Sequence, residues 1–72
     1  MENIVDARGY SCPQPVIMTM AEINKINKGT ISILVDTDTS KENVVRAAAS
    51  KDWNVDGIDK DGEGYRITIS KT

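Results

Sequence analysis

The stretch Cys12-Pro13-Gln14-Pro15 holds the only cysteine of the chain, and it is where the sequence offers chemistry. A thiol reacts as its thiolate, so whatever stabilises the anion sets its reactivity. Proline suits the first helical position, because its fixed φ fits a helix and its missing N–H would have had no intrahelical partner. The spacing therefore predicts Cys12 as the N-cap, Pro13 as the first helical residue and Pro15 as the third, still inside the first turn. The N–H groups of Cys12 and Gln14 are then left at the positive end of the helix dipole, and both effects favour a thiolate.

The chain has no histidine, which excludes a Cys-His protease or acyltransferase of ordinary type and leaves the thiolate to be stabilised electrostatically. Arg8, four residues upstream, either adds a positive charge near the sulfur or is simply solvated. Asp36 and Asp38, at the end of the second strand, are expected to approach the same edge and oppose ionisation by like-charge repulsion. With no second cysteine, an internal dithiol cycle is impossible, and transfer through a single sulfur remains. Such a thiolate accepts a sulfur atom as a persulfide or forms a mixed disulfide, which a partner's thiolate later attacks. The two prolines limit backbone freedom around Cys12 and favour an outward, shallow presentation suited to protein partners.

The elements that must position this thiol can be read from periodicity. Asn3 to Ala7 reads as strand one, and Arg8-Gly9-Tyr10-Ser11 as the turn into the capped helix. From Pro13 to about Asn27, Val16, Met20, Ile23 and Ile26 recur at helical spacing with Ile17 at the stripe's edge, and Gly29 supplies the stop. Met18 is placed on the outward face, where it could share a docking surface with Tyr10. Thr30 to Val35 is rich in β-branched residues, nearly continuous in hydrophobicity, and reads as a central strand. Thr39-Ser40-Lys41-Glu42 fits a capping box with Thr39, or else Ser40, as cap; Val44, Val45 and Ala48 form the apolar stripe and Asp52 the stop. Trp53 to Asp56 and Tyr65 to Ser70 alternate around Asp61-Gly62-Glu63-Gly64, a terminal hairpin.

The order β-α-β-α-β-β predicts an α/β (α+β) two-layer sandwich, a mixed four-stranded sheet with both helices on one face through right-handed crossovers. The other face is expected to be wetter. Parallel strands one and two would end at one edge, where both helix N-termini point and Cys12 sits. At 72 residues without a linker or repeat, the chain reads as a single domain over 1–72. One cysteine and no histidine cannot assemble the usual zinc sets, so no metal or other cofactor is called for. The lone thiol, the lack of a leader and the lack of a long apolar run suit the cytoplasm, with no membrane insertion. A net charge of -2 scattered along the chain argues against direct nucleic-acid binding.

Asp6-Ala7-Arg8-Gly9-Tyr10-Ser11-Cys12-Pro13-Gln14-Pro15 resembles the signature of the TusA-type sulfur-carrier family, also called SirA-like. The resemblance extends to the glycine before strand two, Asp36 after it, Glu42-Asn43-Val44 opening helix two and the final Tyr-x-Ile-x-Ile strand. It implies a persulfide carried on Cys12 between a sulfur-donor protein such as a cysteine desulfurase and a downstream thiol acceptor protein. The Arg8-Gly9 turn and the Glu42-Asn43-Val44 opening look more like the YedF branch. Asp52-Trp53 departs from the many members with a glycine before strand three.

Around Cys12, the residues Asp6, Arg8, Gly9, Pro13, Gln14 and Pro15 are the candidates for positioning or partner contact. Bland roles stand beside these: Asp6 and Arg8 pair locally, Gly9 makes a turn, and Gln14 is an ordinary exposed first-turn residue. Asp56, Asp59, Asp61 and Glu63 read as a solvated acidic loop. The leading functional reading is a sulfur carrier with sulfurtransferase chemistry at one cysteine. The alternative is a protein-binding or redox-regulatory module of the same fold, and RNA binding ranks last for want of a basic stripe.

Overall fold

The computed structural model describes residues 3–11 and 13–72. β1 (Asn3–Asp6), α1 (Gln14–Ile26), β2 (Gly29–Val35), α2 (Asp38–Ser50), β3 (Asn54–Asp61) and β4 (Gly64–Lys71) succeed one another along the chain. They form one four-stranded sheet in the spatial order β1-β2-β4-β3, with β1 and β2 parallel and the other two pairings antiparallel. This is the expected mixed sheet of an α+β sandwich, with β2 central as its continuous apolar run required.

Register explains the core. Ile31 faces Ile69, Ile33 faces Ile67 and Val35 faces Tyr65 across β2 and β4, while Val5 of β1 pairs with Ile33. The four isoleucines are fully buried, together with Val44 and Ala48 of α2, and Ile23 of α1 and Trp53 close the same cluster. Burying each such aliphatic side chain stabilises the fold by about 2 kcal/mol. Alternation sends the neighbours Ile4, Ser32 and Leu34 to the opposite face. Ile4 is 60% exposed there, in line with the expected wetter face. Ser32 is nonetheless buried, and its hydroxyl oxygen accepts an N–H of Arg66 at 3.3 Å.

Several local readings are corrected. The buried line of α1 is Pro15, Thr19 and Ile23. Of the expected stripe of Val16, Met20, Ile23 and Ile26, Ile23 is buried and Met20 and Ile26 pack against the core from its edges, so the stripe is rotated towards Thr19. Thr19 hides its hydroxyl by donating it to the Pro15 carbonyl at 2.8 Å, which is why a polarity count misses it. With that rotation Met18 packs against the core and Ile17 points outward, 53% exposed. The left-handed stop of α1 is Asn27 at φ 63°, ahead of Gly29, and its N–H reaches the Ile23 carbonyl at 2.9 Å.

Helix α2 opens two residues before the expected capping box. Thr37 is the cap, and its hydroxyl accepts the Ser40 N–H at 3.1 Å, which leaves Thr39 inside the first turn and exposed. At its other end Asp52 takes φ 63°; its N–H bonds the Ala49 carbonyl and that of Trp53 the Ala48 carbonyl, both at 3.0 Å. This is a Schellman ending with aspartate in the place glycine prefers. Trp53 is a core residue at that ending, outside β3, and β3 runs on through Gly57, Ile58 and Lys60 with a bulge between Val55 and Gly57. The bulge breaks the alternation that would have revealed the strand's length.

Candidate functional site

Cys12 lies outside the described residues; the turn that leads to it and the helix beyond it are both described. At the C-terminal edge of the parallel strands, β1 continues into the turn of Ala7 to Ser11, tied to the sheet by the Ala7 N–H donating to the Leu34 carbonyl at 2.8 Å. Gly9 sits at φ 85°, a conformation that strains any side chain. Its N–H donates to Oδ2 of Asp36 at 2.8 Å, joining the turn after β1 to the turn after β2.

Helix α1 begins one residue later than the proline spacing suggests. Pro13, at φ -94° and ψ 14°, is the N-cap, Gln14 is the first helical residue and Pro15 the second. The reason lies in the hydrogen bonds. The Gln14 N–H turns back to the Ser11 carbonyl at 2.9 Å, and the Pro13 carbonyl accepts the Ile17 N–H at 3.1 Å, so Pro13 supplies the first helical acceptor. The expected N-cap role of Cys12 passes to Pro13, and the Gln14 N–H expected to face the sulfur is already bonded to Ser11. Pro13 and Gln14 are exposed, whereas Pro15 is buried and anchors the start of the helix in the core.

Asp6 and Arg8 pair with each other. The guanidinium donates Nε to Oδ1 and Nη2 to Oδ2, both at 2.9 Å, and the Arg8 backbone N–H adds a third bond to Oδ1 at 3.2 Å. Those bonds hold the Asp6 carboxyl down at about 2, and the carboxylate in turn raises the Arg8 pKa. The charge of Arg8 is thus matched locally. Of the two acids expected to oppose ionisation, Asp36 accepts from Gly9, and Asp38 accepts the Tyr65 hydroxyl with Lys41 Nζ at 4.0 Å. The Tyr65 ring also carries Lys41 and Lys60 ammonium groups 4.5 and 4.7 Å from its centre.

Two concavities flank the cysteine in sequence. One, of about 390 Å³, joins Gly9, Tyr10 and Ser11 to Asp36, Thr37, Thr39 and Ser40. The other, of about 510 Å³, is a groove between the helices that begins at Pro13 and runs along Val16 and Met20 towards Ala47. Tyr10 is half exposed at the first. The structure brings Asp6, Arg8 and Gly9 together in one turn with Pro13 and Gln14 after it, and puts Pro15 below in the core. Two residues here escape sequence reasoning. Asp36 shows there as a charge and as part of the resemblance, and Gly64 only as part of a turn, although a glycine opening a strand is the available signal for a close backbone approach. The acids Asp56, Asp59, Asp61 and Glu63 are exposed, but the first three lie on β3 and only Glu63 is in the turn, so the expected acidic loop is an exposed strand.

Among the described residues no cluster of three or more His, Cys, Asp or Glu side chains could hold a metal ion, and no helix is long and apolar enough to cross a membrane. The chain is 30% identical over 63 residues to a Bacillus subtilis protein provisionally named sulfur carrier protein YrkI, covering 88% of this chain and 83% of that one. Its fold matches the crystal structure of a SirA-like protein from Desulfitobacterium hafniense with a TM-score of 0.86 and 29% identity, over 97% of this chain and 96% of the other. The model of the family described as sulfurtransferase TusA matches residues 3–71, nearly the whole chain, and the chain belongs to that family.

Proposed function

We propose that the chain is a sulfur carrier that holds one sulfur atom as a persulfide on Cys12. The observation that carries the reading is the position of its sole cysteine, between Ser11, at the cavity rim, and Pro13, which caps α1, in a chain of the sulfurtransferase TusA family. The Cys12 thiolate attacks the outer sulfur of a donor protein's cysteine persulfide. A new S–S bond forms on Cys12 as the donor's S–S bond breaks, and the donor cysteine leaves as a thiolate. An acceptor's thiolate then attacks the outer sulfur and Cys12 departs as a thiolate, so the cycle needs no net oxidant or reductant.

In this reading a cysteine desulfurase is a suitable donor, and the cycle takes place in a single domain in the reducing cytoplasm. Pro13 and Pro15 fix the chain on the helix side of Cys12 and Gly9 permits the turn on the other. Asp6 and Arg8 brace that turn, and the exposed Gln14 is available to a partner. Incubation with a cysteine desulfurase and cysteine, followed by intact-protein mass spectrometry, tests the proposal. The wild-type protein gains the mass of one sulfur atom and Cys12→Ser gains none. Absence of an adduct from several donors refutes it and leaves the protein-binding module as the reading.

A further inference from the structure

We propose that Asp36 is the positioning residue of this site: its carboxylate accepts the Gly9 N–H and so fixes the turn that carries the chain to Cys12. The assignment rests on the persulfide reading above for its function and on three independent observations for its geometry. First, the bond from Gly9 to Oδ2 of Asp36 is 2.8 Å long and spans 27 residues of sequence, tying two loops that share no strand. A backbone N–H donated to a carboxylate is roughly twice as strong as a neutral bond.

Second, Gly9 stands at φ 85° with open space around the place of a Cβ, so its conformation, and not crowding, is what glycine supplies. The chain so turns at Gly9, three residues before Cys12, at the residue whose N–H Asp36 holds. Third, Asp36 is held from behind. Gly64 is buried at the start of β4, and a Cβ there would lie 2.9 Å from the Asp36 Cα and closer still to the Val35 carbonyl oxygen. The strand therefore presses on the backbone of Val35 and Asp36, while the Asp36 side chain reaches forward to the turn. Asp36, Gly9 and Ser11 all border the same cavity.

A role through charge and a role through the hydrogen bond predict different variants. Asp36→Asn removes the charge and keeps an acceptor oxygen of the same reach; Asp36→Ala removes both. For a positioning residue, sulfur loading from a desulfurase stays within about threefold of wild type in Asp36→Asn, the loss expected of a neutral bond. In Asp36→Ala it falls about tenfold, well within what a misplaced reacting group costs. The Gly9 amide proton, followed by NMR, stays protected from exchange in the first variant and loses protection in the second.

Equal loss in both variants, or no loss in either, overturns the assignment. If Asp36→Ala is unfolded at the assay temperature, Asp36→Asn decides alone, since loss of its Gly9 protection or of its loading rate overturns the proposal. A wild-type protein that takes no sulfur refutes the persulfide reading. Asp36 is then judged by Gly9 protection and by the alkylation rate of Cys12, both of which Asp36→Ala must still change for the assignment to stand.

Discussion

Gly64→Ala is the substitution whose cost the structure fixes most directly. The added methyl would meet backbone atoms, the Asp36 Cα at 2.9 Å and the Val35 carbonyl oxygen closer than that, and backbone cannot rotate aside as a side-chain tip does. To restore ordinary contact at ~3.5 Å, β4 has to move from β2 by about 1 Å at this end. The β2 to β4 ladder ends here, with Val35 opposite Tyr65, so at least one ladder bond is weakened at about 1 kcal/mol. Residual overpacking adds about 1 kcal/mol more.

A loss of about 2 kcal/mol corresponds to a fall in Tm of roughly 8–16 °C for a domain of this size. Circular dichroism melts of wild type and Gly64→Ala measure it. Gly57→Ala is the control: a Cβ there meets nothing within 4 Å, so its Tm should stay within about 3 °C or rise slightly as the unfolded chain loses freedom. A Gly64→Ala protein melting within about 3 °C of wild type would refute the claim that β4 presses on the backbone of Val35 and Asp36.

The same contacts carry further expected outcomes. The Asp6 carboxyl should titrate at about 2 by NMR and return towards 3.8 in Arg8→Ala, because the guanidinium bonds hold it down. Its folded value lies below the unfolded one, so any stability it contributes is complete above 3.8 and lost as pH falls towards about 2. Tyr65 behaves in the opposite sense: its hydroxyl donates to Asp38, which raises its pKa above 10.0, so that contribution is complete below 10.0 and lost as pH rises through the folded value. Ultraviolet titration should show the tyrosinate forming at lower pH in Asp38→Asn than in wild type. Asp52→Gly should stabilise the protein by about 0.5–1 kcal/mol in denaturant melts, because a glycine at φ 63° relieves a left-handed residue at the end of α2. An unchanged midpoint would mean that the aspartate is already at ease there.

The order of elements, the central place of β2 and the approach of a turn and a helix to one cysteine were legible in the chain, because each depends on local spacing. A run from Thr30 to Val35 rich in β-branched residues and nearly continuous in hydrophobicity describes a central strand, and Pro13 with Pro15 mark a helix start. The resemblance carried by residues 6–15 then pointed to a sulfurtransferase family that the full-length match established.

Tertiary structure decided what local spacing leaves open. The rotation of α1 came from Thr19 bonding its own helix, which lets a polar residue face the core. The caps moved to Pro13 and Thr37 because the competing acceptors, Ser11 and the Thr37 hydroxyl, are chosen by how each loop enters the sheet. Arg8 could serve the sulfur or a neighbour until its geometry put both arms on Asp6. Asp36 reads from sequence as a negative charge after a strand; only the folded chain, closing 27 residues of separation, makes it the acceptor that holds Gly9. Periodicity encodes which face a residue prefers, whereas a hydrogen bond between two loops depends on the strand register that brings them together, and that is a property of the whole sheet.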